Sequence, residues 1–142
     1  MSTDKFDATL FTDGASKGNP GPASIGVLIQ DAEGITLAEV SERIGNATNN
    51  EAEYTALIRG LKEAKLLGLK RIRWLTDSEL AHRQWTGQYK VRSPRLQELY
   101  SQAKLLASDF EAVVPEHVLR EKNSKADALA NSAFEKDRRG TR

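Results

Sequence analysis

The sequence contains no cysteine. Disulfides, thiolate zinc sites and cysteine nucleophiles are therefore excluded. Histidine is nearly as scarce, with only His82 and His117. A three-histidine zinc site cannot be built from two, and a histidine-based triad has little to draw on. No run approaches the ~20 apolar residues that a membrane-spanning helix needs. The opening MSTDKFDATLF has no apolar signal core. These absences make a cytoplasmic location the default expectation, with no membrane partner. Charge of one sign is also lacking, because the net charge is only +1.

What remains is an ordinary globular mixture. The chain has 142 residues, 39% hydrophobic and 29% charged. That length fits a single domain over 1–142. Its core is expected at about 6–137, between a short polar N-terminus and a basic C-terminal tail. A monomer is the default. Charge is unevenly spread: residues 1–50 are net −4 and residues 51–142 net +5. Arg83, Lys90, Arg92, Arg95 and Lys104 cluster against Glu98 alone, interleaved with Trp85, Tyr89 and Tyr100. Such a segment suits a phosphate backbone. On charge alone it fits better a solvated helix face with its aromatics turned inward.

Residues 6–12 alternate and read as a strand. DGASKGNPGP at 13–22 reads as a loop. ASIGVLIQ (23–30) and ITLAEVSERI (35–44) read as strands joined by a DAEG hairpin. After TNN at 48–50, a helix follows from Leu57, Ile58, Leu61, Ala64 and Leu67, with Gly68 as its stop. RIRWLT (71–76) is a strand, and 78–85 a short helix ended by Gly87. Residues 94–108 form an amphipathic helix through Leu96, Leu99, Tyr100, Ala103 and Leu106. A strand over 110–120 is interrupted by Pro115. Asn123 is expected to cap a last helix reaching about 136. The order βββαβααβα predicts an α/β (α+β) mixed sheet with helices on its faces.

Four acids break the local pattern. Asp13 and Asp77 each follow a strand directly, where open sheets place their sites. Glu53 lies one turn before Leu57, on the apolar side of its helix. Asp127 lies three before Ala130 and seven before Phe134, so it also faces inward. Each could be an ordinary turn residue, cap or dipole partner. Together they could meet at one sheet edge. Oxygen donors without cysteine suit Mg²⁺ or Mn²⁺. Two such ions ~4 Å apart can clamp the oxygens of a phosphodiester. The Gly14–Gly18 segment lacks P-loop spacing, and no dinucleotide fingerprint occurs.

Thr12-Asp13-Gly14-Ala15 and Gly18-Asn19-Pro20-Gly21-Pro22 resemble the opening of type 1 ribonuclease H. So do Thr48-Asn49-Asn50 with Ala52-Glu53, Thr76-Asp77-Ser78, and Asn123 to Ala130 (NSKADALA). The motifs run in that family's order over residues 12–130. The resemblance implies the ribonuclease H-like fold, with a five-stranded mixed sheet. It implies endonucleolytic hydrolysis of the RNA strand of RNA–DNA hybrids with two Mg²⁺ ions, leaving 5′-phosphate and 3′-hydroxyl ends. It makes Asp13, Glu53, Asp77 and Asp127 the metal-binding catalytic acids. Glu51 is a rival for Glu53, but the motif selects the third residue after Asn50. Helical geometry agrees, since Glu51 falls on the side of Arg59 and Lys62.

The resemblance also implies substrate contacts by Asn19, Asn49 and Asn50, and a DNA-phosphate contact by Thr48. Glu79 stands where the family often has Gln. Gly87 to Val91 resembles the short form, which lacks a basic protrusion. There Tyr89 is expected to stack on a sugar or base, and Lys90 or Arg92 to hold phosphate. Many members carry a histidine in the loop before the last acid. Here His117 falls in the strand, so Arg120 is the candidate cation, without a proton to shuttle. The sequence leaves two alternatives. One is a transposase- or resolvase-like polynucleotidyl transferase of the same fold. The other is a catalytically inactive hybrid-binding module.

Overall fold

A chain that alternates, then turns at DAEG, then alternates again builds a meander before it can build anything else. The computed structural model describes residues 5–140. Strand β1 (Ala8–Ser16) pairs antiparallel with β2 (Gly21–Asp31), and β2 with β3 (Thr36–Ala47). Asp31 closes the β2–β3 turn by accepting from the N–H groups of Glu33 and Ile35, both at 2.9 Å. This is the local bonding for which short acidic side chains are favoured in turns.

Helix α1 (Asn49–Leu66) then crosses to β4 (Arg71–Thr76), which lies parallel to β1. Helices α2 (Glu79–Trp85) and α3 (Pro94–Ala107) lead to β5 (Ala112–His117), parallel to β4. A 3₁₀ turn over Arg120–Asn123 precedes α4 (Ser124–Gly140). The sheet order is β3-β2-β1-β4-β5. The expected βββαβααβα mixed sheet is the one observed. No helix among the described residues is long and apolar enough to cross a membrane.

The main core lies between the sheet and α1. Leu10, Ile25, Val27 and Ile29 meet Tyr54, Leu57 and Leu61 there. Trp74 stands edge-to-face on Trp85 at 5.3 Å. Two glycines set how closely the helices descend. A Cβ on Gly14 would lie 2.4 Å from the Ala52 carbonyl carbon, so α1 rests on β1 there. A Cβ on Gly26 would lie 2.0 Å from the Ala126 carbonyl oxygen, so α4 rests on β2. The Ser24 and Ser41 hydroxyls donate to the Ala130 and Leu129 carbonyls, each at 2.5 Å.

Several boundaries differ from expectation. Residues 13–22 are mostly strand, and only 17–20 form the turn. Gly14 and Gly21 mark close backbone approach, and only Gly18, at φ +104°, serves the turn. Leu67 is not part of the buried helix face: it is the C-cap of α1 and 43% exposed. Strand β5 is shorter than 110–120, and Pro115 is tolerated because β5 is an edge strand. Asn123 does not cap α4. It ends the 3₁₀ turn and donates its Nδ2 to the Thr12 carbonyl at 2.9 Å. Helix α4 continues to Gly140, past 136, because Glu135 to Arg139 contains no glycine or proline. Residues 1–4 of the expected polar N-terminus, and 141–142 of the expected basic tail, lie outside the described residues.

Candidate active site

Asp13 sits in β1 directly opposite Gly26 of β2. The residue after it, Gly14, faces the other helix. Because Gly14 lacks a side chain, the α1 backbone at Glu53 comes down onto the strand. Asp77 follows the last residue of β4. It is not consumed as a helix cap, because Ser78 accepts from Ala81 N–H at 3.1 Å and caps α2 itself. The result is that Asp13, Glu53 and Asp77 each offer a carboxylate oxygen within 4.8 Å of the others. Asp127, in the first turn of α4, lies outside this triplet. It meets the triplet through a side-chain hydrogen bond with Asp13.

Three carboxylates this close are electrostatically costly. Asp13 is only 6% exposed. Burial pushes its carboxyl up to about 8, helped by the hydrogen bond that the protonated group donates to Asp127 and by the charges of Asp77 and Asp127. Burial likewise holds Glu53 well above the usual carboxylate range, followed by the charges of Asp13 and Asp77. A backbone hydrogen bond from Gly14 and the charge of Arg120 act in the opposite sense on Glu53. Arg120 lowers Asp13 as well, so the charge of this exposed cation is felt by two of the acids. The Oε1 of Glu53 is buried without a hydrogen-bond partner. Buried polar oxygens are normally satisfied. A buried, unpaired carboxylate oxygen beside two further carboxylates is a donor set that suits a divalent cation of the Mg²⁺ type.

The rival acid has another task. Glu51 closes a capping box with Thr48: Glu51 Oε1 accepts from Thr48 N–H at 2.9 Å, and Thr48 Oγ1 accepts from Glu51 N–H at 3.1 Å. A hydroxyl oxygen that accepts can still donate its own proton, so the cap leaves Thr48 able to serve an anion. Asn19 Oδ1 accepts from Asn49 N–H at 3.0 Å, tying the 17–20 turn to the start of α1. Asn49 and Asn50 belong to the first turn of α1 rather than to a loop.

Asn50 also lines a groove of about 560 Å³ with Tyr89, Lys90 and Arg92. None of the four acids lines it, yet it begins on the same helix end as Glu53. Tyr89 is 48% exposed, with the Arg83 guanidinium over its ring at 5.5 Å. Glu79 pairs with Arg83 at 2.8 Å.

Three further residues support the site. Thr12 is fixed twice, by Trp74 Nε1–H on its hydroxyl at 2.9 Å and by Asn123 on its carbonyl. Gln84 is buried on α2. Gly26 gives α4 its approach. The available signals were a polar residue at helical spacing from Ala81 for Gln84, and a glycine inside an apolar strand for Gly26.

A five-stranded mixed sheet in this order, with clustered acids from β1, α1 and the residue after β4, is the ribonuclease H-like fold. A family model described as reverse transcriptase-like matches residues 11–133. The chain belongs to the ribonuclease H family. Over 127 residues it is 48% identical to a bifunctional protein of Mycobacterium tuberculosis, covering 89% of this chain. The chain spans 35% of that relative's length. The structure of RNase H1 from Halobacterium salinarum superposes with a TM-score of 0.88 at 40% identity, covering 91% of this chain and 98% of that one. LC11-RNase H1, isolated from compost by a metagenomic approach and solved with an RNA/DNA hybrid, gives 0.87 at 42% identity, covering 92% and 98%.

Proposed function

We propose that this chain is an endoribonuclease that hydrolyses the RNA strand of RNA–DNA hybrids. Asp13, Glu53, Asp77 and Asp127 would hold two divalent cations, Mg²⁺ with Mn²⁺ as a substitute. The observation that carries this is the acid cluster with its buried, unpartnered Glu53 Oε1. The hybrid bound by the LC11 relative supports the choice of substrate.

Bound divalent ions would supply positive charge to the attacking and leaving oxygens of the phosphodiester. The chain's own residues do the rest. Asp13 interacts with each of the other three acids, so it organises the cluster. Arg120 adds a fixed positive charge beside the cluster and eases charge on the leaving side. Asn19, Asn49 and Asn50 present amides that donate and accept, which suits 2′-hydroxyls and base edges. Thr48, Lys90 and Arg92 contact phosphate, and Tyr89 offers a stacking face. Internal cleavage leaves 5′-phosphate and 3′-hydroxyl ends, and the active form is a monomer.

An inactive hybrid-binding module is disfavoured by the same cluster, because such a module has no use for acids whose burial is uncompensated. The test is cleavage of a hybrid with and without chelator. Cleavage that needs added Mg²⁺ supports the proposal. Binding without cleavage, in a folded protein supplied with Mg²⁺ or Mn²⁺, contradicts it.

A further inference from the structure

Gln84 is a polar side chain in a position that an apolar one would fill. It is 5% exposed, on a helix of seven residues whose other buried members are Ala81 and Trp85. Burying an amide costs free energy unless both ends are bonded. Here both ends are. The Lys90 carbonyl can only accept, so the amide nitrogen must face it, and Nε2 donates there at 3.3 Å. The amide oxygen therefore faces Tyr54, whose hydroxyl donates to Oε1 at 2.8 Å. The orientation of the side chain is fixed by its two partners.

Those partners belong to different parts of the molecule. Tyr54 is 1% exposed and follows Glu53 in α1. It is held from a third side by Tyr100 of α3, edge-to-face at 6.1 Å. Lys90 is exposed, in the segment between α2 and α3 that also carries Tyr89 and Arg92. One buried amide thus joins the helix bearing an acid of the cluster to the basic segment flanking the groove. Other bonds hold the ends of that segment: Tyr89 N–H donates to the Arg83 carbonyl at 3.1 Å, and Gln97 Nε2 to the Val91 carbonyl at 2.9 Å. Gln84 engages its middle.

We propose that Gln84 is a positioning residue for substrate binding: it latches the Tyr89–Arg92 segment to α1 and so sets the distance between the basic groove and the acid cluster. This rests on the proposal that the segment holds the nucleic-acid backbone. Gln84 acts through Lys90 and Arg92 and leaves the chemical step alone. Its loss therefore appears in substrate affinity, while turnover at saturation is kept.

The test uses three variants of the full chain. Gln84→Met removes the latch and strands the Tyr54 hydroxyl, so it weakens both stability and binding. Tyr54→Phe removes one bond but keeps the amide on Lys90, so its KM stays near that of the parent. The double variant Tyr54→Phe/Gln84→Met removes both buried polar groups together, which is close to neutral for stability. It is the decisive one. Its melting temperature should stay near that of the parent and kcat within about twofold. KM for a hybrid should rise about fivefold to tenfold, the cost of re-ordering one short segment. Amide hydrogen exchange over residues 88–92 should quicken. A folded double variant with unchanged exchange at 88–92, unchanged KM, or a loss confined to kcat overturns the proposal. Exchange reports the latch independently of substrate. If Lys90→Ala/Arg92→Ala leaves hybrid binding unchanged, it is instead the substrate role of the segment that fails.

Discussion

Asp13 lies directly across the β1–β2 ladder from Gly26. The pairing explains how an acid on a strand and an acid on a helix come together. Gly26 leaves room for the α4 backbone, with the Ala126 carbonyl oxygen 2.0 Å and the Ala130 nitrogen 2.6 Å from where a Cβ would sit. Asp127 rides on that turn of α4 and reaches Asp13. Gly26→Ala should therefore push α4 outward. The expected loss of stability is about 1–3 kcal/mol, as for other overpacked sites, with activity falling further as Asp127 is displaced. Thermal melting and hybrid cleavage would check this. A variant matching the parent in both would show that the close approach is not needed.

Two glutamates two residues apart should separate cleanly. Glu51→Ala removes one of the two capping-box bonds with Thr48 and should cost about 0.5–1.5 kcal/mol of stability, while cleavage persists. Glu53→Gln should remove nearly all cleavage with little loss of fold. Melting curves and cleavage rates for both settle the assignment, and the opposite pattern would reverse it.

Without divalent cations, stability should fall as pH rises. Unfolded carboxyls ionise near pH 4, but in the folded chain Asp13 keeps its proton to about 8, and Glu53 is also raised. Between those limits the folded state holds more protons than the unfolded one. Stability then drops by up to about 1.4 kcal/mol per pH unit for each such proton. Asp7 works in the other sense: the backbone N–H groups of Arg71 and Lys70 hold it below its usual value, so its contribution is lost only in acid. Denaturant titrations in chelator at pH 5 and pH 8 should show the decline. Added Mg²⁺ should offset it at pH 8, and Asp13→Asn should flatten it. Stability that rises from pH 5 to pH 8 in chelator would contradict the electrostatic picture.

The basic segment makes a separate, salt-dependent expectation. Lys90→Ala/Arg92→Ala should weaken binding to hybrid and to DNA duplex alike. It should also flatten the slope of log affinity against log salt by up to about two units. Asn50→Ala should instead lower hybrid cleavage while leaving much of that slope. Salt titrations in Ca²⁺ measure both. An unchanged slope in the double variant would make the segment a solvated face only.

Much of the architecture is legible in the sequence because periodicity and turn chemistry are local. DAEG, TNN and the Leu57–Ile58–Leu61 face each announce their element, and the inward-facing Glu53 stands out against its helix. What escapes is tertiary. Residues 13–22 look like a loop because glycine usually breaks structure, whereas Gly14 and Gly21 stay in strands to admit neighbouring backbone. Asn123 looks like a cap, yet its amide is drawn to Thr12, 111 residues away in the chain. Gln84 looks like one more polar residue on a short helix, and only the fold shows that Tyr54 and Lys90 flank it. The acids can be picked out one by one, but their convergence depends on strand order.

The most direct measurement follows each strand of a hybrid separately, with parent and Asp13→Asn side by side in Mg²⁺. The parent should cut the RNA strand internally, leave the DNA strand intact and yield 5′-phosphate ends. Asp13→Asn, folded by circular dichroism, should leave both strands whole. A folded Asp13→Asn that cleaves at near the parent's rate would contradict the assignment of the acid cluster as the catalytic centre.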